Sequence, residues 1–288
     1  MLLSLRYLYP YYGIALIPWL GTIAFPLLGY FGPGTYSVLC GGMSILIIWS
    51  LGWLYRFPAR VRGFRTIATR RIRLLYAPEL EEKWLFPILV QRLECILDEF
   101  STRFGLKLRW RVVIFLFAKN QVITELCRAN ACGYALPLAN VVLIADDTDV
   151  IRTARHEIAH LFAFRWNSEV PVLLNEGLAT WLEAGPNRVS FEELTKAFLR
   201  QHNVSLASLL STRKFHSEPN RFFHYQAACS FTAFLIRRFG WEKYRKFFRC
   251  AEKTSFTRKF HKVFGTRLDE AEEKWRRALG AGFVQCSR

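Results

Sequence analysis

Residues 156–160 read His-Glu-Ile-Ala-His. On a helix, side chains four positions apart share a face one turn apart, so two imidazoles at this spacing can take two vertices of a zinc tetrahedron. A glutamate between them, Glu157, can reach a water beside the metal and act as its base. Two histidines leave the coordination incomplete. A hydrolytic zinc site uses three protein ligands and keeps the fourth position for water. Fifteen intervening residues separate His160 from Glu176, the expected third ligand, which lies in VPVLLNEGLATWLE (Val170 to Glu183). Glu169 in the preceding connection and Glu183, two turns further along the same helix, are its rivals.

These side chains need two packed helices to bring them together. The first is expected to begin near Asp149, after an acidic turn (Asp146, Asp147, Thr148) suited to an N-cap. The second is expected over Pro171 to Ala184, and Asn175 either bonds near the site or caps that helix. Upstream, Leu89, Leu93, Ile96 and Phe100 recur at helical spacing. LKLRWRVVIFLF (Leu106 to Phe117), CGYALP and ANVVLIA (Ala139 to Ala145) are rich in strand formers, and Asn120 to Arg128 fits a short helix. After Val170 nearly everything reads as helix: Ser190 to Gln201, Asn220 to Phe239, Trp241 to Glu252 and Leu268 to Leu279. Strands followed by helices predict an α+β domain rather than alternating βαβ units. Phe222, Phe223, Phe247 and Phe248 are expected on helix-packing faces, and His202, His216 and His261 at the surface or in satisfied packing.

The N-terminus has a different character. From Tyr7 to Tyr55 the chain contains no Asp, Glu, Lys or Arg, against about 20 apolar residues needed for one membrane span. Tyr11 to Phe31 and Thr35 to Tyr55 fit two spans, with Gly32, Pro33 and Gly34 as the turn, and aromatic residues near the ends suit the lipid interface. A cleaved signal peptide has a far shorter apolar core. Arg56, Arg60, Arg62, Arg65, Arg70, Arg71 and Arg73 follow, with no acidic residue before Glu79. By the positive-inside tendency this flank is cytoplasmic, and Arg6 puts the N-terminus on the same side. The expected organisation is a transmembrane hairpin over 1–55, a basic linker or surface-lying helix over 56–78, and a catalytic domain over 79–288. The net charge of +17 then finds its partner in anionic lipid, and no nucleic-acid motif competes. Seven cysteines without CxxC spacing predict neither a disulfide framework nor a cysteine metal site, in keeping with a reducing compartment.

HEIAH followed by NEGLATWLE resembles the gluzincin branch of zinc metallopeptidases, the thermolysin-like group of the peptidase MA type with HExxH and then NEGxA. HYQAACSFTAFLIRRFG (His224 to Gly240) is similar to the tyrosine-led helix of those domains, and GTRLDEAEEKWRRAL (Gly265 to Leu279) to their C-terminal helix. The resemblance covers about residues 80 to 281. It implies a zincin-like fold with a small, mainly antiparallel sheet followed by helices, and an edge strand, CGYALP or ANVVLIA, to which an extended peptide adds its backbone. It also implies zinc-dependent hydrolysis of a peptide or protein substrate. His156, His160 and Glu176 would hold Zn2+ and Glu157 would be general base. Tyr225 is the first choice for the oxyanion donor, with His224 second. Thr180 stands where thermolysin has an acidic residue that steadies a zinc histidine, so the chain departs here from the family's pattern of outer support. Arg152, Arg155 and Arg165 around the motif exclude a site within the bilayer. The competing expectation is a catalytically inactive membrane protein of the same fold that binds or regulates. Retention of Glu157 favours the enzyme.

Overall fold

The computed structural model describes residues 57, 59–127, 131–184, 189–202, 204–217 and 219–280. The expected hairpin over 1–55 lies outside the described residues. No helix among those described is long and apolar enough to cross a membrane. The chain divides into two units. Among the described residues, the first comprises 57–95 and 108–151, and the second 96–107 and 152–280.

The first unit is built on a five-stranded sheet. Its strands are β1 (Arg65–Ala68), β2 (Ile72–Tyr76), β3 (Val112–Phe117), β4 (Gly133–Leu136) and β5 (Val141–Ala145), in the order β1-β2-β3-β5-β4. The outer pairs β1–β2 and β4–β5 are antiparallel, while β2–β3 and β3–β5 are parallel. The sheet is therefore mixed, which corrects the expectation of a mainly antiparallel one. Parallel neighbours need a crossover. Helix α1 (Phe86–Phe104) supplies it between β2 and β3, so a βαβ unit exists where strict segregation of strands and helices was expected. Helix α2 (Asn120–Cys127) follows β3.

Every residue of β3 and β5 is buried, as a strand covered on both faces must be. Val113, Phe115, Phe117, Val141, Leu143 and Ala145 alternate onto one face, against Phe57, Val61, Ile123 and Leu126. The other correction concerns the basic stretch. Residues 65–76, expected within a linker or surface-lying helix, form the β1–β2 hairpin instead. Thr69 closes its turn, its hydroxyl oxygen accepting from the backbone N–H groups of Arg71 and Ile72. Of the two segments proposed as the exposed edge, CGYALP forms edge strand β4, and ANVVLIA forms β5, interior between β3 and β4. The aspartates of the acidic turn are engaged away from the helix that follows. Asp146 accepts from Lys83 and Trp84, and Asp147 accepts from the Asn120 N–H at the start of α2, 3.0 Å away.

The second unit is helical. It contains nearly all of α3 (Val150–Trp166), then α4 (Val172–Ala184), α5 (Val189–Gln201), α6 (Thr212–Phe215), α7 (Arg221–Phe239), α8 (Trp241–Cys250), α9 (Phe256–Phe264) and α10 (Leu268–Ala278). Helices α6 and α9 were not anticipated. Helices α4 and α7 are packed together closely, and Gly177 is why they can be. A Cβ there would lie 2.6 Å from Thr232 Oγ1 and 2.7 Å from the Ala228 carbonyl oxygen. Phe247 and Phe248 are buried as expected, and Phe223 stacks on Phe198 at 4.9 Å, but Phe222 is 55% exposed. Phe231, Phe247, Phe256, Phe260, Phe264 and Trp275 knit α7 to α10, and the Trp275 indole N–H donates to Ser230 at 3.1 Å. Arg276, 1% exposed, pairs with buried Glu272 at 3.0 Å and donates to the Val204 carbonyl. Glu272 also accepts from the Leu206 N–H at 3.1 Å, which ties the segment before α6 to α10.

Candidate functional site

Helix α3 carries His156, Glu157 and His160, and α4 carries Asn175, Glu176 and Glu183. One ligand atom from each of His156, His160 and Glu176 lies within 4.8 Å of the others, so the three expected ligands do converge. His156 Nε2 is 3.3 Å and His160 Nε2 is 3.5 Å from the same oxygen, Glu176 Oε2. Both outer nitrogens are already committed. His156 Nδ1 lies 2.9 Å from Glu183 Oε2, and His160 Nδ1 lies 3.3 Å from Asn175 Oδ1. Carboxylate and amide oxygens only accept, so each ring donates its Nδ1–H outward and turns Nε2 inward.

That tautomer leaves two nitrogen lone pairs facing a carboxylate in a largely buried place. Three acceptors around one point repel unless a cation or protons lie between them. The donor set, two imidazole nitrogens and one carboxylate oxygen, is that of a catalytic zinc site. The same demand for positive charge acts on titration. Burial opposes protonation of His156, but its bonds to Glu176 and Glu183 outweigh this and hold it well above the usual histidine range. His160 is also raised, Glu176 overcoming the effect of burial. Burial would push Glu176 up, yet the two histidines hold it far below the ordinary carboxylate range.

Glu157 is 8% exposed and its carboxyl is raised, by burial first, with the histidines opposing and Glu176 and Glu183 adding. Tyr225 on α7 stands beside the cluster, its ring centroid 6.3 Å from that of His156. Burial, together with the charge of Glu176, pushes its phenol above the ordinary tyrosine value, so at neutral pH it is an O–H donor. Arg221 lies 5.9 Å from its ring centroid. His224, the second choice for an oxyanion donor, is turned to another task. Its Nδ1–H donates to the Phe215 carbonyl at 2.8 Å, and its ring packs against Phe198 and Phe215.

Two residues were missed. Glu183, considered only as a rival ligand, orients His156 while Arg152 holds its other oxygen at 2.5 Å. A signal existed, since Glu183 is seven residues beyond Glu176 and Arg152 four before His156, so each shares a helix face with one of the clustered residues. Glu183 is thus the outer carboxylate that Thr180 could not be. His216 follows α6 with its ring 6.0 Å from that of Tyr225. Burial lowers its titration, partly offset by the charge of Glu176. No spacing in the sequence announces it. Glu169 accompanies none of these groups; its backbone N–H donates to Asn167 Oδ1.

Residues 97–281, well over half of the chain, match the family model of the Peptidase MA superfamily. The chain belongs to that superfamily, which makes it peptidase-like and metallopeptidase-like in kind. No curated protein matches it.

Proposed function

We propose that this protein is a membrane-anchored zinc metallopeptidase of the gluzincin type, hydrolysing peptide bonds with Glu157 as general base. The observation that carries the proposal is the convergence of His156 Nε2 and His160 Nε2 on one oxygen of Glu176, with both Nδ1 atoms fixed from outside. Zinc held by those three residues would acidify water and polarise the scissile carbonyl. Glu157 takes the water's proton and returns one to the leaving amine, so no covalent intermediate forms. The Tyr225 hydroxyl donates to the oxyanion as it develops. Glu183 and Asn175 hold the two imidazoles in the required tautomer.

Metal analysis of the purified full-length chain beside Glu176→Ala tests this first. About one zinc per chain in the parent and most of it lost in the variant is the expected result. A folded parent that takes up no zinc when supplied would overturn the enzyme and leave a binding module of the same fold. Catalysis is tested by Glu157→Gln, which should retain zinc and lose cleavage of unstructured peptides by about 10²-fold or more. Equal turnover by that variant would refute the mechanism.

A further inference from the structure

The strands β2, β3 and β5 are parallel, so the segments that lead into them meet at one end of the sheet. There the Arg111 Nε–H donates to the Arg70 carbonyl at 3.3 Å, and the Val112 N–H to the Arg71 carbonyl at 2.8 Å. The Asn140 side-chain amide donates to the Trp110 carbonyl at 3.1 Å, which pins the segment before β3 to the one before β5. Asn140 is fully buried and left-handed, with φ of 53°, a conformation that asparagine tolerates better than most residues. Two large apolar side chains are left facing solvent on this framework: Trp110 is 56% and Leu138 44% exposed. Around them stand Arg70 and Arg109, both exposed, and Arg111, half-buried, with the Arg109 guanidinium 5.9 Å from the Trp110 ring centroid. No acidic residue occurs in 57–78, 105–118 or 131–145. The nearby carboxylate of Glu94 is taken by Arg71 and Thr69.

We propose that this sheet end, with Arg70, Arg109, Trp110, Arg111 and Leu138, docks on an anionic lipid surface. Charge complementarity selects an anionic partner, and the exposed indole and leucine select one that also offers an apolar layer beneath its charges. A nucleic acid would engage the arginines and leave Leu138 without a contact. The position in the chain agrees: the charge-free stretch ends at Tyr55, and the β1–β2 turn at 69–71 begins 14 positions later. Each basic side chain near such a surface strengthens attachment about fivefold, and Trp110 adds insertion at the headgroup level. Docking here deepens the anchoring proposed above and rests on it, because the anchor keeps the sheet end close to lipid.

The test is hydrogen–deuterium exchange of the full chain in lipid nanodiscs. Discs of phosphatidylcholine alone are compared with discs containing about one third phosphatidylglycerol, a fraction set to give a surface potential of physiological size. Amides of 108–111 and 138–140 should exchange about tenfold more slowly in the anionic discs, and 0.5 M salt should erase much of the difference. Arg70→Glu with Arg109→Glu, and separately the milder Trp110→Ser, should remove the protection while zinc content stays at the parental level. Equal exchange in both disc types, or protection that survives both variants, overturns the docking face. Protection appearing only when RNA or DNA is added overturns it in favour of nucleic acid. A chain that leaves the discs altogether overturns the anchoring as well, which separates the two failures.

Discussion

Glu183 is the residue whose role changes most between sequence and structure. Its carboxylate joins Arg152 to His156, and so determines which imidazole nitrogen faces the metal position. Outer partners of this kind commonly contribute 10–100-fold in metal affinity. Glu183→Gln, which keeps the shape and loses the charge, is expected to weaken zinc by about that factor in a chelator competition, with the helical content unchanged. Affinity equal to the parent's would mean that the contact is incidental. His156, Glu157 and His160 were legible because an i, i+4 spacing is a local fact that any helix converts into geometry. The place of Glu176 beside the two histidines was legible only with its rivals beside it, since the choice depends on how α4 lies against α3. His216 was not legible at all: it approaches Tyr225 from a connection after a one-turn helix that no periodicity announces.

Among the elements, those with strong internal patterns were read well. The all-apolar β5 and the amphipathic α1 fall within the segments that composition marks, and β3 takes only the apolar Val112–Phe117 half of the strand expected over Leu106 to Phe117. The β1–β2 hairpin was hidden because its strands carry Arg65, Arg71 and Arg73 in or beside them, and a basic run looks like a solvated linker. Missing β2 then concealed the βαβ unit, which turned a mixed sheet into an expected antiparallel one. The α4–α7 contact shows what NEGLATWLE requires beyond its ligand. Gly177→Ala would force a methyl group against the Ala228 carbonyl, and overpacking of this kind costs about 1–3 kcal/mol. Because Glu176 is the preceding residue, the variant should lose zinc affinity along with stability, measured by metal titration and by tryptophan-detected unfolding of the same sample. The Arg276–Glu272 pair makes a different demand. Arg276→Met leaves a carboxylate buried without its cation and is expected to cost about 3–5 kcal/mol, only part of it recovered when Glu272→Leu is added, because the buried Leu206 N–H then loses its acceptor. A denaturant midpoint unchanged by the single substitution would show that the pair contributes nothing at this site.

For the whole molecule, the distribution of charge makes the most exposed prediction. The stretch from Tyr7 to Tyr55 is free of charged side chains, and the arginines that follow it are partly used by the folded unit: Arg60 pairs with Glu125, Arg65 with Glu81 and Arg71 with Glu94. Those pairs form after folding, whereas orientation is set during insertion by the basic residues within about 15–20 positions of a span. Arg6, Arg56, Arg60, Arg62, Arg65, Arg70, Arg71 and Arg73 would therefore all count towards a cytoplasmic flank on both sides of the proposed hairpin. A reporter that functions only in the cytoplasm, fused after Arg288, is expected to be active, and one that functions only across the membrane to be silent. Replacing Arg56, Arg60 and Arg62 together with glutamate should reduce the bias and bring a fraction of chains into the opposite orientation. Activity of the second reporter on the unaltered chain would place His156, His160 and Glu176 on the far side of the membrane. Substrates would then have to be sought there, among peptides presented at the outer leaflet.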